Sequence, residues 1–185
     1  PLGAVCEELP GEISPFISSL EIQAHFLAGR TQRALDLIRR SWGWYLNNPK
    51  GTQSTMIEGY LVNGTFGYRW NAGYANDFSF TSHAHAWSTG PVTTLSEYSL
   101  GFRISGRAGS TWELAPQPGD LTQVEGGFTT KLGKFSAAWE KGRDGSFTIT
   151  YQVPENTHGE VRLPVEDGFD PSQVTVNGKV SDRSV

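Results

Sequence analysis

Residues 95–101, LSEYSLG, mark the point at which the hydrophobic pattern of the chain changes. Before Gly101, apolar residues recur at the spacing of helices, and after it they alternate with polar residues as they do in strands. Short alternating runs separated by turns are typical of an antiparallel β-sandwich. The pattern therefore predicts a multidomain protein of α and β structure, with helices in residues 1–101 and a sandwich in residues 102–185.

Three helices are predicted in the first part of the chain. The first begins at Ser14, which is followed by proline, and it ends at Gly29, while Thr31 is predicted to cap the second. The third is predicted to begin near Ser82 and to bend or break at Pro91. The predicted buried faces are Phe16, Ile17, Leu20, Ala24 and Leu27 in the first helix and Ala34, Leu35, Leu37, Ile38 and Trp42 in the second.

The second part of the chain carries short candidate strands, separated by Pro-Gly, Asp-Gly and Glu-Asn turns. The segment 47–80 follows neither period, and a loop of that length in a compact domain usually has a function. The predicted strands are residues 111–115, 122–130, 133–141, 146–153, 159–163 and 173–176, the last entering a tight turn at Asn177-Gly178.

Composition excludes several classes of protein. The chain of 185 residues has a net charge of −4, and it has no run of Lys or Arg dense enough for nucleic acid. It has no apolar stretch that could cross a membrane. Its single cysteine, Cys6, allows no internal disulfide. The sequon Asn63-Gly64-Thr65 fits a secreted, extracellular protein, and the chain begins at Pro1 as if it were part of a longer one.

Glu58 is the first candidate for a catalytic group. It lies in the run STMIEGY, residues 54–60, where few charges and several aromatic residues could hold a carboxylate away from bulk water and raise its basicity. Such a group could deprotonate a water molecule. The alternative is a structural carboxylate that caps a helix or pairs with Arg69, and local composition alone favours that alternative about two to one.

His83, His85 and Trp87 form the second candidate cluster, at the start of the predicted third helix. On a helix, two histidines at this spacing point to different faces and lack a third ligand nearby, so a metal site is not expected. The histidines could bind a substrate hydroxyl, with Trp87 as a wall of the site. Equally, they could satisfy the exposed polar ends of neighbouring helices.

Other chemistries lack their motifs. There is no Gly-x-Ser-x-Gly sequence, Cys6 has no obvious activating partner, and no glycine-rich phosphate loop occurs. What remains is carboxylate chemistry, which for a glycosidic bond requires two carboxyl groups. Neither a cofactor nor a metal is expected.

Five motifs in fixed order give the chain a family resemblance. These are the helical hairpin, WGWY at 42–45, STMIEGY at 54–60, SHAH at 82–85 and APQP at 115–118. In this order they resemble the C-terminal part of family 78 glycoside hydrolases, the α-L-rhamnosidases. The resemblance implies the last helices of an (α/α)6 catalytic barrel in residues 1–101 and a C-terminal β-sandwich in residues 102–185.

The resemblance also implies roles for single residues. Glu58 would be the general base of an inverting hydrolase, and the general acid would lie upstream, in a missing N-terminal part of the same protein. His85 would contact the sugar, His83 would be a weaker contact, and Trp44 and Trp87 would shape an apolar wall against it. The substrate would be a rhamnose-containing glycoside, and the fragment alone would be inactive.

Many members of the family have an aromatic residue just before the base, where this chain has Ile57. The substrate could therefore also carry a related deoxy or uronic sugar in place of rhamnose.

Two other interpretations compete with the rhamnosidase prediction. Another (α/α)6 glycosidase or phosphorylase acting on glucosides is the first alternative. The second is a non-catalytic carbohydrate-binding or structural module, in which the sandwich braces the barrel.

Overall fold

The computed structural model describes residues 2–70, 72–165 and 170–180. The chain divides into two compact units, Pro1–Leu95 and Ser96–Val185. The π-helical turn that closes the run of helices ends at Ser99, and the next strand begins at Phe102, with short 3-10 turns after it at Arg107–Gly109 and Pro171–Gln173. The assignment of residues 1–101 to a catalytic barrel and of residues 102–185 to a sandwich domain stays a prediction.

The first two helices of the first unit begin close to where the sequence predicts. Pro15 occupies the first turn of the first helix, where its missing N–H is not needed, and Gly29, with φ of 66°, follows the end of that helix. Thr31 is the first residue of the second helix, and Arg30 takes the capping position predicted for Thr31. The helices are α1 (Pro15–Leu27), α2 (Thr31–Ile38), a π-helical turn (Arg39–Gly43) and α3 (Trp44–Leu46).

The buried face of α1 differs from the predicted one, whereas that of α2 is largely confirmed. The side chains of α1 that are buried are Pro15, Ser18, Ile22 and Phe26. Ile17, Leu20 and Leu27 are 49%, 55% and 68% exposed, because the opposite side of α1 packs on neighbouring helices. In and after α2 the buried predicted residues are Ala34, Leu35, Leu37 and Trp42, and Ile38 is half-buried.

The third helix begins later than predicted. Residues 82–85 are not helical, Ala86–Ser88 form a short 3-10 turn, and the helix α4 spans Gly90–Thr94. Pro91 therefore starts this helix instead of bending it, because proline is tolerated in a first turn that needs no N–H donor. A π-helical turn, Leu95–Ser99, follows. Within the described residues no helix has the length and apolarity needed to span a bilayer.

In the segment 47–80, the described residues are mostly irregular, as predicted. Its regular elements are a short strand, Tyr60–Leu61, and a 3-10 turn, Phe78–Phe80. The strand, here β2, pairs antiparallel with β1, Glu12–Ile13. This pairing holds the middle of the long loop against the residues that lead into α1.

The strands of the second unit match the predicted ones within two residues at each end, and one further strand, β3, precedes them. The first sheet has the order β3-β4-β8 and the second the order β5-β6-β7. The pair β4–β8 is parallel, so the prediction of a wholly antiparallel sandwich is wrong for that pair. The strands are β3 (Phe102–Ile104), β4 (Thr111–Leu114), β5 (Gln123–Thr130), β6 (Gly133–Lys141), β7 (Phe147–Gln152) and β8 (His158–Val161).

The two sheets bury one aromatic core between them. Phe102 of the first sheet lies 5.8 Å from the ring of Phe135 in the second, and Phe128 stacks on Phe135 at 5.3 Å. Alternation along the strands directs these side chains inward. The buried residues of this core are Leu100, Phe102, Trp112, Leu114, Phe135 and Ala137.

A small hairpin follows the sandwich strands. The strands β9 (Thr175–Val176) and β10 (Lys179–Val180) pair antiparallel across the predicted Asn177-Gly178 turn. Both turn residues have positive φ, 52° and 76°, which is the geometry that an Asn-Gly pair favours. Residues 181–185 lie outside the described residues.

Candidate functional site

Glu58 lies where two loop segments run side by side. Its backbone N–H donates to Ser82 O at 2.8 Å, and the N–H of His85 donates to Met56 O at 2.8 Å. Met56 and Ile57, just before it, are buried, while Glu58 itself is half-buried. The residues on either side of Glu58 are thus anchored, and its side chain projects from a fixed backbone.

Both oxygens of the Glu58 carboxylate accept a hydrogen bond. The hydroxyl of Tyr74 donates to Oε1 at 2.7 Å, and the backbone N–H of Ser82 donates to Oε2 at 3.1 Å. Burial raises the pKa of Tyr74 to about 12, and the hydrogen bond to Glu58 and the negative charge of Glu58 act in the same direction. A carboxylate has roughly four acceptor positions, so two remain to polarise a water molecule.

The glycine after Glu58 is required by close packing. A Cβ atom on Gly59 would lie 2.3 Å from the ring of Tyr68, which is buried. Burial is the main cause that raises the pKa of Tyr68. The next residue, Tyr60, shares a buried hydrogen bond of 2.5 Å with Ser41. The loop is therefore packed tightly on the C-terminal side of Glu58.

Within the described residues, Glu58 neither pairs with Arg69 nor caps a helix. Arg69 donates from Nε to Ala72 O at 3.0 Å, and its guanidinium lies 5.5 Å from the centre of the Tyr74 ring. The N–H that Glu58 accepts belongs to Ser82, which is not in a helix. These contacts leave the carboxylate held by neutral donors, while its catalytic role stays a prediction.

His85 and Trp87 are in direct contact. The indole N–H of Trp87 donates to Nε2 of His85, and the two rings meet edge to face at 5.4 Å. In the neutral imidazole this acceptor role of Nε2 places the proton on Nδ1. Trp87 is 64% exposed, and its ring packs against Phe16 at 5.0 Å. This pair offers an N–H donor beside an exposed aromatic surface.

His83 points elsewhere. Its Nδ1 lies 3.0 Å from the hydroxyl of Tyr45, and its ring meets Phe66 edge to face at 5.4 Å. Trp44 belongs to the same aromatic cluster, since its ring is 4.7 Å from Tyr60 and 6.2 Å from Phe66. His83 and Trp44 thus make the contacts of packing residues.

The predicted site residues fall into two groups. Glu58 and His85 lie on adjoining segments, with Trp87 beside His85, whereas the ring contacts of Trp44 and His83 within the described residues join them to other partners. The histidines diverge as predicted, although the reason differs, because residues 82–85 are not helical. Among residues 2–70, 72–165 and 170–180, no group of three His, Cys, Asp or Glu could hold a metal.

Two partners of Glu58 were not predicted. Tyr74 is sixteen residues away in the sequence, and Ser82 binds the carboxylate through its backbone N–H. The sole sequence signal for Tyr74 is its place in a loop rich in Gly and Asn, which does not identify a partner. Only the fold of the long loop brings these donors to one carboxylate.

The chain is similar to known proteins in both sequence and structure. Residues 104–177 match the model of the bacterial α-L-rhamnosidase C-terminal domain. The structure is similar to a GH78 family rhamnosidase of Bacillus sp. GL1, with 30% sequence identity and a TM-score of 0.60. That similarity covers 80% of this chain and 16% of the Bacillus chain. No curated protein matches the chain.

Proposed function

Since this chain belongs to the GH78 rhamnosidase family, we propose that it supplies the general base of a glycoside hydrolase that removes terminal α-L-rhamnose with inversion. The chain spans only 16% of the length of the related Bacillus rhamnosidase, so the activity proposed is that of the whole protein. One observation carries the proposal: the Glu58 carboxylate is held by Tyr74 and Ser82 and keeps acceptor positions for a water molecule.

In the proposed reaction, Glu58 accepts a proton from water as that water attacks the anomeric carbon. An inverting pair of carboxyls is spaced by about 6.5–9.5 Å, which leaves room for the water. The second carboxyl, the acid that protonates the leaving oxygen, comes from a part of the protein outside this chain. The proton that Glu58 gains returns to solvent after the product leaves.

His85 and Trp87 are the proposed sugar contacts. The Nδ1–H of His85 would donate to a ring hydroxyl, because Nε2 is already occupied by the indole N–H of Trp87. The exposed face of Trp87 would pack against the C–H surface of the sugar. Trp44 and His83 would act indirectly, by packing in the aromatic cluster that supports the loop.

The proposal includes secretion of the protein. Asn63 of the sequon is exposed, and its side chain accepts from the N–H and hydroxyl of Thr65 in a turn at the surface. Recovery of the natural protein from the culture medium would support secretion, and recovery only from within the cell would contradict it.

The test uses the complete protein on aryl α-L-rhamnoside and aryl glucoside, with the Glu58→Gln variant. We expect rhamnoside hydrolysis, an inverted product by NMR, and a kcat lowered by about four orders of magnitude in Glu58→Gln, because an amide accepts no proton from water. Glu8→Gln, an exposed carboxylate of the same unit, is the matched control and should keep wild-type kcat.

Three outcomes would overturn the proposal or part of it. Retention of a tenth of wild-type turnover in Glu58→Gln would remove Glu58 from the mechanism. Hydrolysis of the glucoside alone would favour the alternative glycosidase. Binding of rhamnose by residues 102–185, without turnover by the complete protein, would favour the binding module.

A further inference from the structure

We propose that Tyr74 is a positioning residue that orients the Glu58 carboxylate, an inference that rests on the proposed role of Glu58 as the base. The hydroxyl of Tyr74 is 2.7 Å from Oε1, and the N–H of Ser82 is 3.1 Å from Oε2. The two donors come from different segments of the long loop and bind different oxygens of one carboxylate.

This arrangement restricts rotation of the carboxylate. If the group turns about its last carbon–carbon bond, at least one of the two hydrogen bonds breaks. Hydrogen bonds to a charged acceptor are about twice as strong as those between neutral groups. The orientation of the remaining acceptor positions, and hence that of the water they would hold, is therefore set before substrate binds.

The segment that carries Tyr74 is itself held in place. The buried Glu12, 1% exposed, accepts the backbone N–H of Arg69 at 3.0 Å. The side chain of Arg69 then reaches Ala72 O and lies over the Tyr74 ring. Together these contacts connect the tyrosine, through Arg69, to Glu12 in β1.

The backbone of this segment is unusual. Arg69, Ala75 and Asn76 have φ of 57°, 48° and 63°, in the left-handed region, which Asn tolerates but Arg and Ala rarely adopt. Residues in such conformations persist only where the surrounding structure over-determines them, and they concentrate at functional sites. Two of these residues, Ala75 and Asn76, directly follow Tyr74, so the backbone turns sharply just after the residue whose hydroxyl binds Glu58.

The charges around Glu58 are consistent with a donating Tyr74. Among the described residues, Tyr74 and Tyr68 are titratable groups that face this carboxylate, and Arg69 faces both tyrosines. The raised pKa of Tyr74 keeps its hydroxyl protonated across the range in which glycosidases work. It therefore remains a donor whenever Glu58 is ionised.

The test is Tyr74→Phe in the complete protein. We expect kcat to fall about 10- to 100-fold, the value of a hydrogen bond to a charged group, while KM changes less than about twofold. The acidic limb of the kcat/KM profile should move to higher pH, because the carboxylate loses a donor that stabilises its charged form. Tyr68→Phe is the matched control, since the Tyr68 hydroxyl bonds Ser14, and it should keep the wild-type limb.

A double variant separates positioning from a general structural effect. In the Glu58→Gln background, Tyr74→Phe should cause no further loss of kcat, because the tyrosine acts through the carboxylate. Wild-type kcat and an unmoved limb in Tyr74→Phe would overturn the inference while leaving Glu58 as the base. Full additivity in the double variant, or an equal change in Tyr68→Phe, would also overturn it. If Glu58→Gln is itself active, the proposed function fails instead.

Discussion

At the scale of single residues, the two histidines of residues 82–85 have different surroundings. His83 is half-buried between Tyr45 and Phe66 and uses Nδ1 for a hydrogen bond within the protein. His85 accepts from Trp87 and keeps the N–H of Nδ1 for another partner. Two histidines only two residues apart thus have different chemistry, because the backbone bends at His83 and Ala84 between them.

We predict that His85→Ala weakens substrate binding more than His83→Ala does. Loss of one hydrogen bond to a sugar hydroxyl should raise KM of the complete protein about 3- to 10-fold. His83→Ala should instead lower the free energy of unfolding by about 1 kcal/mol, since it breaks the bond to Tyr45.

Steady-state kinetics and urea unfolding of the two variants make the comparison. A larger rise in KM for His83→Ala than for His85→Ala would show that the sugar-contacting position was assigned to the wrong histidine.

At the scale of elements, Gly101 is the point where helical structure gives way to strands. Its φ is 91°, and the backbone of the segment after β4 crosses directly over it. A Cβ on Gly101 would lie 2.4 Å from Pro116 N, so the crossing has no room for a side chain. The N–H of Ala115 donates to Gly101 O at 2.9 Å. The glycine that the pattern marks as a helix stop is therefore also a packing site in the second unit.

We predict that Gly101→Ala lowers the free energy of unfolding by about 3 kcal/mol. A left-handed alanine costs about 1–2 kcal/mol, and displacement of a packed backbone adds about 1–3 kcal/mol. Gly145→Ala is the matched control: Gly145 also has positive φ, 86°, but a Cβ there meets nothing within 4 Å.

Denaturant unfolding of both variants measures the difference. Gly145→Ala should lower the free energy of unfolding by only the cost of the left-handed conformation. Equal values for the two variants would mean that the crossing segment moves aside at little cost.

At the scale of the whole molecule, apolar surface is exposed on α1. Ile17, Leu20 and Leu27 are about half exposed or more. Of the apolar residues predicted for the faces of the first two helices, Leu20 is exposed while Leu35 is buried. Exposed apolar faces favour association. The similar Bacillus rhamnosidase is about six times longer than the part that this chain matches, in keeping with a larger protein around it.

We predict that the 185 residues alone hydrolyse no glycoside. Glu58 would lack the second carboxyl that protonates the leaving oxygen, and the α1 face would lack its cover. Assay of the isolated chain on an aryl rhamnoside should give no turnover, and addition of the remaining protein as a separate chain should restore it.

The Glu58→Gln chain, mixed in the same way, is the control and should restore nothing. Turnover by the isolated chain that Glu58→Gln abolishes would place the acid within these residues and contradict the prediction.

The amino-acid sequence by itself determined the local elements. Pro15 and Gly29 bound α1, and Asn177-Gly178 forms the predicted hairpin turn, because backbone preferences of proline, glycine and asparagine act within a few residues. The alternating pattern predicted five strands of the sandwich unit, because side chains two residues apart lie on the same face of a strand. Glu58 could be proposed as a candidate because the local sequence alone shows a carboxylate among aromatic residues.

Tertiary structure decided what joins distant residues. The parallel pairing of β4 with β8, the exposed side of α1 and the hydrogen bond from Tyr74 to Glu58 all depend on partners far along the chain. Periodicity shows that α1 has an apolar side, but only packing shows which side meets the other helices. The candidate site likewise depends on tertiary structure, because the Glu58 carboxylate is oriented by donors sixteen and twenty-four residues away.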